Sequence, residues 1–383
     1  MKRKIFDADH EAFRQTVRQY LTTRVAPEFS EWEAAGHPSR QFYRDAAGIG
    51  ITGIQVPEEY GGAGITSYKF NAIVSEEAVR ANVSLGPLRV HMDIVLPYLL
   101  RSANDEQRRR WLPGFASGDI VTAIAMTEPG TGSDLAGIRT TARRDGDDYL
   151  LNGAKTFITG AFNADLVLVV ARTAPADPDN RRTGLSILAV DASSPGFEVG
   201  RVLSKMGLKA QDTCELSFTD VRVPATDLLG EEGEAFGYLG HNLPQERLTI
   251  AVGAWAAASH AVDLAREYAQ ERNVFGQPVA AFQNTKFVLA DCAADVAAGQ
   301  AYLDSAIEAH DAGELTVADA AAVKLWMTEM QARVVDKCLQ IHGGYGYMTE
   351  YPISRLYADA RVSRIYGGTS EVMRSIVAKG LGL

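Results

Sequence analysis

The sequence has few cysteines and a deficit of positive charge. Its three cysteines, Cys214, Cys292 and Cys338, lie far apart and form no Cys-x-x-Cys pair. This pattern predicts neither a disulfide framework nor a zinc site, and it fits a reducing compartment. The 48 Asp and Glu residues outnumber the 38 Lys and Arg residues, which gives a net charge of −10. Because nucleic-acid binding needs a basic face that neutralises phosphates, we expect no nucleic-acid partner.

The sequence also lacks the patterns of a secretory leader and of a membrane span. The N-terminus is basic for only a few residues and turns acidic from Asp7 onward, which does not resemble a signal peptide. The most apolar segment, 248–265, contains His260 and Asp263 and is poor in Leu and Ile. We therefore expect a buried core helix there, no membrane span, and a cytoplasmic protein.

The chain divides into three blocks of different pattern. Its 383 residues, 46% of them apolar, suffice for two or three domains. Apolar residues recur at helical spacing in the first and last blocks, whereas the middle block consists of short β-rich runs separated by turn residues. We predict an α+β protein with an N-terminal helical domain (1–121), a middle β barrel or sandwich (122–230) and a C-terminal helical domain (231–383).

A glycine pattern near the N-terminus resembles a dinucleotide-binding turn. Residues 48–53 read Gly-Ile-Gly-Ile-Thr-Gly and fit G-x-G-x-x-G. A true turn of this kind needs a strand before it and a helix after it. The preceding residues 42–47 are helix-like, and Pro57 follows too soon for a helix. The segment therefore does not predict a nicotinamide site.

Residues 243–248, Leu-Pro-Gln-Glu-Arg-Leu, introduce a long apolar helix. Pro244 is predicted to start that helix, since its fixed φ suits the first turn. Glu246 would then lie in the first turn, where a carboxylate complements the positive end of the helix dipole. On residue type alone, this capping role is the favoured interpretation of Glu246.

A second stretch, residues 364–371, reads Arg-Ile-Tyr-Gly-Gly-Thr-Ser-Glu. Together with residues 243–248, it resembles the acyl-CoA dehydrogenase family of flavoproteins. The resemblance covers nearly the whole chain. Most of that family carries its catalytic base in the downstream stretch, as Ile-Tyr-Glu-Gly-Thr, where this chain has Gly367. The long-chain and isovaleryl branches place the base just before the helix arginine, which is Glu246 here. The sequences of these two stretches are most similar to those of the long-chain branch. The resemblance therefore implies Glu246 as the base, and a fold of N-terminal helices, middle β barrel and C-terminal four-helix bundle.

The β block opens with residues 125–134, Ala-Met-Thr-Glu-Pro-Gly-Thr-Gly-Ser-Asp. Glycines beside Thr, Ser and Asp form tight loops that expose N–H groups and hydroxyls. Alone, such a loop predicts only a turn between strands. It matches the family signature Thr-Glu-Pro-Gly-x-Gly-Ser-Asp, which implies that Met126 and Thr127 line the FAD ring and that Ser133 contacts the flavin or the substrate.

Residues 157–159, Phe-Ile-Thr, match the family's Trp-Ile-Thr segment. The match implies that Phe157 packs on the flavin and that Thr159 bonds near its reactive nitrogen. Core packing is the other interpretation of Phe157, and the two interpretations are compatible. The next two residues, Gly160 and Ala161, replace the family's usual Asn-Gly, so this turn departs from the family pattern.

The loop 272–278 lies between two predicted helices. An Arg at a helix C-terminus is ordinary, because it complements the negative end of the dipole. The resemblance implies that this loop binds the FAD of a neighbouring subunit, with Arg272 at the pyrophosphate, Phe275 at the adenine and Gln283 as a further polar contact. A homotetramer is expected on the same ground.

A second glycine pair follows a predicted helix at Gln340-Ile-His-Gly-Gly. Gly343 and Gly344 are typical of a helix C-cap. The resemblance implies that Gln340, Gly343 and Gly344 form another cradle for the FAD pyrophosphate. His342 is then expected to be structural and not a metal ligand, and no metal site is predicted.

The turn before the last helix offers free N–H groups and a capping hydroxyl, an arrangement that binds anions. The resemblance implies FAD contacts from Thr369 and Glu371. It also implies that Tyr366 and Gly367 line the thioester pocket, and that Arg247 anchors the CoA portion or fixes the base.

The resemblance implies α,β-dehydrogenation of an acyl-CoA, with long-chain fatty acyl-CoA in β-oxidation as the expected substrate. Glu246 would remove the pro-R α-proton, the flavin would accept the β-hydride, and an electron-transfer flavoprotein would take the electrons. Four alternatives stay open: branched, steroid-linked or carrier-protein thioesters; an oxidase or monooxygenase on the same fold; a non-catalytic CoA-binding module; and a nicotinamide dehydrogenase, supported only by the glycine pattern at 48–53.

Overall fold

A computed structural model describes residues 3–383. The chain begins with a helical block that precedes the sheet. Its helices are α1 (Ala8–Tyr20), α2 (Ala26–Ala35), α3 (Gln41–Gly48), α4 (Lys69–Arg80), α5 (Gly86–Arg89), α6 (Leu96–Ser102) and α7 (Asp105–Ser117). Local capping sets several of these ends: Asp7 caps α1, Asn104 caps α7, and Gly36 ends α2 in the left-handed conformation. The glycine pattern at 48–53 follows α3 instead of a strand, so its rejection as a dinucleotide turn is confirmed.

Two π-helical segments interrupt this block. Leu21–Val25 joins α1 to α2, and Val90–Val95 joins α5 to α6. Residues 86–102 therefore form one helical run with a widened turn at its centre. Widened turns of this kind occur frequently at functional sites, because they change the direction in which side chains project.

The middle block forms one eight-stranded sheet. Its strands are β1 (Thr122–Ala125), β2 (Thr141–Asp145), β3 (Asp148–Ile158), β4 (Leu166–Arg172), β5 (Leu185–Asp191), β6 (Phe197–Val202), β7 (Cys214–Pro224) and β8 (Leu228–Leu229). The pairing order is β6-β7-β3-β2-β4-β5-β8, with β1 parallel to β4. Strands β4, β5 and β7 are among the short β-rich runs that the sequence predicted for this block. Side chains of these strands form the core of the sheet.

The last block is helical again. Its helices are α8 (Ala235–Glu271), α9 (Gln283–Asp311), α10 (Val317–His342), α11 (Pro352–Ser363) and α12 (Ser370–Gly380), and a hairpin of β9 (Asn273–Val274) and β10 (Gln277–Pro278) joins α8 to α9. Helices α8, α9 and α10 share one apolar core. Sequence periodicity had not predicted α11. The predicted order of helices, sheet and helices is confirmed, and the limits 1–121, 122–230 and 231–383 stay our proposal for the domains.

The start of α8 corrects one prediction. The helix begins at Ala235, so Pro244 lies inside it and does not open it. Ala235 and Leu239 are buried against β4 and β5 of the sheet, and this packing holds the early turns in spite of the hydrogen bond that a proline removes. Glu246 is therefore remote from the positive end of the helix. The capping role for Glu246 is excluded, and the helix dipole has little influence on its pKa.

Helix α8 is the one helix in residues 3–383 whose length and composition would allow a membrane crossing. Most of its apolar stretch is buried inside the fold. Trp255 illustrates this packing, since its indole N–H donates to the carbonyl of Val296 on α9 at 3.0 Å. The segment 248–265 is a core helix, as predicted.

Candidate active site

A cavity of about 300 Å³ lies between α8, the helical run 86–102, the sheet and the turn before α12. Five residues that the sequence analysis drew from three separate stretches line it: Glu246 from α8, Phe157 and Thr159 from the end of β3, and Tyr366 and Gly367 from the turn. The predicted base and the predicted ring-binding residues therefore face the same enclosed space.

Glu246 is the carboxyl group buried in the wall of this cavity. Its exposed fraction is 6%, and the hydroxyl of Tyr98 donates a 3.2 Å hydrogen bond to it. Burial raises the pKa of Glu246 to about 7, while the Tyr98 hydrogen bond and the charge of Arg247 act in the opposite direction. A carboxyl with this pKa can both accept and release a proton near neutral pH.

Gly367 has a backbone that suits glycine, and a side chain there would point at Ile250. Its φ is +63°, and a Cβ built there would lie 2.4 Å from the Cδ1 atom of Ile250. Ile250 follows Glu246 by one turn of α8 and also lines the cavity. A side chain at 367 would therefore have to displace the end of the Ile250 side chain.

Arg247 lies outside the cavity lining. It is 4% exposed, and its Nε and Nη1 atoms have no hydrogen-bond partner within residues 3–383. Its charge lowers the pKa of Glu246 and, with burial, that of the nearby Lys324. Of the two roles predicted for Arg247, this placement favours an electrostatic influence on the base over a direct contact with CoA in the cavity.

The glycine-rich loop is anchored by a buried ion pair that sequence reasoning missed. Lys155 of β3 donates to the carbonyl of Met126 at 3.0 Å and to the carboxylate of Glu128 at 2.9 Å. Burial lowers the pKa of Lys155 to about 8, although Glu128 favours its charged form. Glu128 also accepts backbone N–H bonds from Arg139 and Thr140. The Glu of the loop signature thus has a structural role.

Three residues of this loop were predicted to contact the flavin or the substrate. Met126 and Thr127 are half-buried at the end of β1, and the Thr127 carbonyl accepts a 2.9 Å bond from the N–H of Thr156. This bond joins the loop to the strand that carries Phe157. Ser133 is exposed and does not line the cavity.

Phe157 is an apolar ring left open at the cavity. It is 65% exposed, and its φ is +60°, so core packing of this residue is excluded. An exposed aromatic face in a fixed left-handed backbone suits stacking or edge contact with a flat heteroaromatic ring. This arrangement fits the isoalloxazine ring of FAD.

The turn after Thr159 is ordered in spite of its departure from Asn-Gly. Buried Asp212 accepts hydrogen bonds from the N–H groups of Gly160 at 3.0 Å and Phe162 at 2.9 Å. Gln211 donates to the hydroxyl of Thr159 at 3.2 Å. Gln211 and Asp212 lie just before β7. They therefore fix the backbone of this turn and the hydroxyl of Thr159, which was predicted to bond near the reactive nitrogen of the flavin.

A second pocket, of about 520 Å³, brings together three of the other predicted cofactor residues. Arg272, Gly343 and Gly344 line it, and the Arg272 guanidinium lies 5.5 Å from the centre of the Tyr345 ring. It shares no lining residue with the first cavity. Within one chain, the two predicted parts of the FAD site are therefore separate.

The remaining residues predicted near this second pocket are exposed. Phe275 projects from the β9–β10 hairpin with 96% exposure. Gln283 and Gln340 are also exposed and do not line the pocket. His342, by contrast, is buried, stacks on Tyr268 at 4.5 Å and bonds through Nδ1 to the carbonyl of Cys338. Residues 3–383 contain no cluster of His, Cys, Asp and Glu that could hold a metal ion.

The turn before α12 has a capped helix start and a buried cation beneath it. Thr369 caps α12 by accepting a hydrogen bond from the N–H of Val372 at 3.3 Å, and Glu371 is exposed in the first turn. The ammonium group of buried Lys324 donates to the carbonyl of Gly368. This bond fixes the turn that carries Tyr366 and Gly367.

The residues that sequence reasoning missed share one property. Tyr98, Lys155, Asp212 and Lys324 act on site residues that are distant in the chain or on another element. The only signal in the sequence was an isolated polar residue in an apolar setting, as for Lys324.

Comparisons with known proteins identify the same family in all three blocks of the chain. The acyl-CoA dehydrogenase N-terminal, middle and C-terminal domain models match residues 7–119, 123–221 and 233–382. The long-chain specific acyl-CoA dehydrogenase of Sus scrofa mitochondria is 44% identical over 377 residues, which cover 98% of this chain and 87% of that relative.

Solved structures show the same fold. An acyl-CoA dehydrogenase from Geobacillus kaustophilus is 43% identical with a TM-score of 0.97 and full coverage of both chains. An acyl-CoA dehydrogenase from Bacillus anthracis complexed with FAD is 31% identical with a TM-score of 0.91, covering all of this chain and 68% of that one. This chain belongs to the acyl-CoA dehydrogenase family and is an FAD-dependent flavoprotein oxidoreductase of fatty acid metabolism that acts on CH–CH bonds.

Proposed function

We propose that this chain catalyses the α,β-dehydrogenation of a fatty acyl-CoA to the trans-2-enoyl-CoA, with Glu246 as the base. The observation that carries this proposal is the buried carboxyl of Glu246 in the wall of a cavity, with a pKa raised to about 7. Residues proposed to bind the flavin, Phe157 and Thr159, line the same cavity.

The protein's own residues supply the proton transfer and the positioning. The ionised carboxylate of Glu246 takes the pro-R α-proton, and the hydrogen bond from Tyr98 orients that carboxylate. The backbone of Gly367 lines the cavity and offers an N–H to the thioester carbonyl, which would stabilise enolate-like charge. Bound FAD supplies a hydride acceptor for the hydrogen that leaves the β-carbon. Phe157 and Thr159 would hold its ring.

The proposed substrate has an extended acyl chain. Beyond Glu246, the cavity follows one face of α8 past Gly253, Ala254 and Ala257. Ala254 and Ala257, one turn apart, leave a groove in which an alkyl chain can lie. The 44% identity to a relative named long-chain specific acyl-CoA dehydrogenase supports the same choice.

We further propose that FAD is shared between subunits of a homotetramer. The separation of the Arg272–Gly343–Gly344 pocket from the Glu246 cavity supports this arrangement, since each chain would complete the site of a neighbour. The exposed ring of Phe275 would then be covered by that neighbour. An electron-transfer flavoprotein is the proposed electron acceptor.

The cysteines support a reducing compartment. Cys214, Cys292 and Cys338 are all buried and free. A cytoplasmic location is our proposal on this basis.

Anaerobic bleaching of the yellow protein by CoA thioesters from butyryl to stearoyl tests the function. Wild-type protein is expected to bleach most readily with extended chains, whereas Glu246→Gln retains FAD and does not bleach. Glu267→Gln is the matched control, because Glu267 is an exposed residue of the same helix. Full bleaching of Glu246→Gln would refute the assignment of the base, and a protein that takes up no FAD would refute the entire proposal.

A further inference from the structure

Arg89 is a charged residue in the wall of the acyl cavity. It is the last residue of α5, directly before the π-helical segment Val90–Val95. Its side chain is 20% exposed, and it lines the cavity together with Val90 and Ile94. A guanidinium group is unexpected beside a groove for an alkyl chain, because a charge against apolar atoms is unfavourable unless it is paired and hydrogen-bonded.

Contacts within the protein use only part of this guanidinium. Its Nε atom donates a long, 3.4 Å hydrogen bond to Asp93, and Nη2 donates to the carbonyl of Thr249. Asp93 has shorter bonds from Asn71 at 2.7 Å and from the Thr249 hydroxyl at 3.2 Å. Asp93 therefore shares its oxygens between Arg89 and two neutral donors, and the bond from Arg89 Nε is the longest of the three.

The Nη1 atom of Arg89 lies beside Gly253 on the cavity side of α8. A Cβ at position 253 would be 3.0 Å from Nη1, so the glycine leaves the room that this atom occupies. Nη1 has no hydrogen-bond acceptor within residues 3–383 and is not enclosed by protein atoms. Its N–H groups are therefore available to a molecule in the cavity.

We propose that Arg89 is a specificity residue that selects acyl groups bearing an acceptor oxygen, as a carboxylate, hydroxyl or keto group, at a distance from the thioester. This inference rests on the proposed function. A plain alkyl chain would remove water from Nη1 without replacing its hydrogen bond, whereas an oxygen at that point would accept one.

The helix gives the position of that oxygen. Gly253 follows Glu246 by two turns of α8, which corresponds to roughly 10 Å at 1.5 Å per residue. An extended chain advances roughly 3.3–3.6 Å for every three bonds. The acceptor oxygen is therefore expected roughly eight to nine bonds beyond the α-carbon, within a medium-length acyl group.

Three CoA thioesters of equal length test this proposal: decanoyl-CoA, its ω-hydroxy derivative and its ω-carboxy derivative. For the holoenzyme we expect kcat/KM to be about tenfold higher for at least one oxygenated thioester than for decanoyl-CoA. The better of the two oxygenated substrates identifies the acceptor as neutral or anionic. Calorimetric binding of the corresponding 2-enoyl-CoA products should show the same preference without turnover.

In Arg89→Met, the ratio of kcat/KM for the oxygenated thioester to kcat/KM for decanoyl-CoA is expected to fall to about one. Gly253→Ala should also reduce this ratio, since the added methyl group displaces Nη1, and it provides the test should Arg89→Met fail to fold. Arg201→Met is the matched control, because the Arg201 side chain is exposed on the sheet; its ratio should equal that of wild type.

Equal kcat/KM for plain and oxygenated thioesters in wild type, or a preference that survives in Arg89→Met, would overturn the role of Arg89 while leaving the dehydrogenation intact. Absence of bleaching with every thioester would instead refute the proposed function.

Discussion

The hydroxyl of Tyr98 donates a 3.2 Å hydrogen bond to the carboxyl of Glu246. Tyr98 belongs to α6, just after the π-helical segment, and Glu246 lies in the interior of α8. Burial raises the pKa of Glu246, and the bond from Tyr98 limits that rise. The ionisation of the proposed base therefore depends on how two distant helices pack.

The pH dependence of turnover follows from this balance. Glu246 must be ionised to accept the α-proton, and its pKa is about 7 in the free enzyme. We expect kcat/KM to increase about tenfold per pH unit below pH 6 and to level off above pH 8. Stopped-flow flavin reduction between pH 5 and pH 9 measures this profile. A flat profile across that range would contradict the pKa assigned to Glu246.

Tyr98→Phe should shift the same profile towards alkaline pH. The substitution removes a hydrogen bond that favours the carboxylate, so that only the charge of Arg247 would oppose the effect of burial on the pKa of Glu246. At pH 6.5 we expect a loss of activity that is largely recovered at pH 9. Tyr238→Phe, on the same helix as Glu246 but bonded to the N–H of Glu231, is the control and should keep the wild-type midpoint. Equal losses at both pH values would indicate a structural role for Tyr98 only.

Gly367 should not accept the carboxylate that most of the family carries there. A side chain at 367 meets Ile250 at 2.4 Å and needs a positive φ. We expect Glu246→Gln/Gly367→Glu to stay inactive, and the further change Ile250→Ala to restore measurable flavin reduction. Activity in the double variant without the Ile250 change would contradict the steric argument. The measurement is single-turnover bleaching with the best substrate of the wild type.

The sequence predicted the order of the blocks and the residues that meet in the cavity. Helical and β-rich periodicity separated the three blocks, and motif resemblance selected Glu246, Phe157 and Tyr366, which line one space. These predictions succeeded because they depend on local pattern, or on short motifs with few alternative readings.

Tertiary contacts explain what the sequence did not predict. The sequence predicted that a helix starts at Pro244. Packing of Ala235 and Leu239 against the sheet instead extends α8 in the N-terminal direction. Lys155 and Asp212 hold the turns around the ring-binding residues through partners on other elements. Local propensity contains no information on such pairings, and the separation of Arg272 from the Glu246 cavity depends on the whole fold.

Glu246 should reduce stability at alkaline pH. Its pKa is raised from 4.5 to about 7 in the folded protein, so the favourable contribution of the protonated form is present below pH 4.5 and is lost as pH rises through 7. At pH 8, Glu246→Gln should therefore unfold at a higher temperature than wild type, and its free energy of unfolding should be larger by up to about 3 kcal/mol. At pH 4.5 the two proteins should differ little. Calorimetry of the flavin-loaded proteins measures the gain. An advantage of the variant that does not change with pH would contradict this account.

The buried pair of Lys155 and Glu128 offers a test of how the glycine-rich loop is held. Lys155→Met would leave the carboxylate of Glu128 buried without its cation, at a cost of about 3 kcal/mol. Two backbone N–H bonds to Glu128 would persist, so we expect the loop to loosen and FAD retention to fall rather than the fold to be lost.

The double variant Lys155→Met/Glu128→Gln removes both charges and should regain a large part of that loss. A double-mutant cycle on unfolding free energy gives the coupling between the two residues. Arg222→Met, which breaks exposed ion pairs on the same sheet, is the control and should change stability little. A Lys155→Met protein with unchanged stability and FAD content would show that the backbone bonds to Glu128 alone hold the loop.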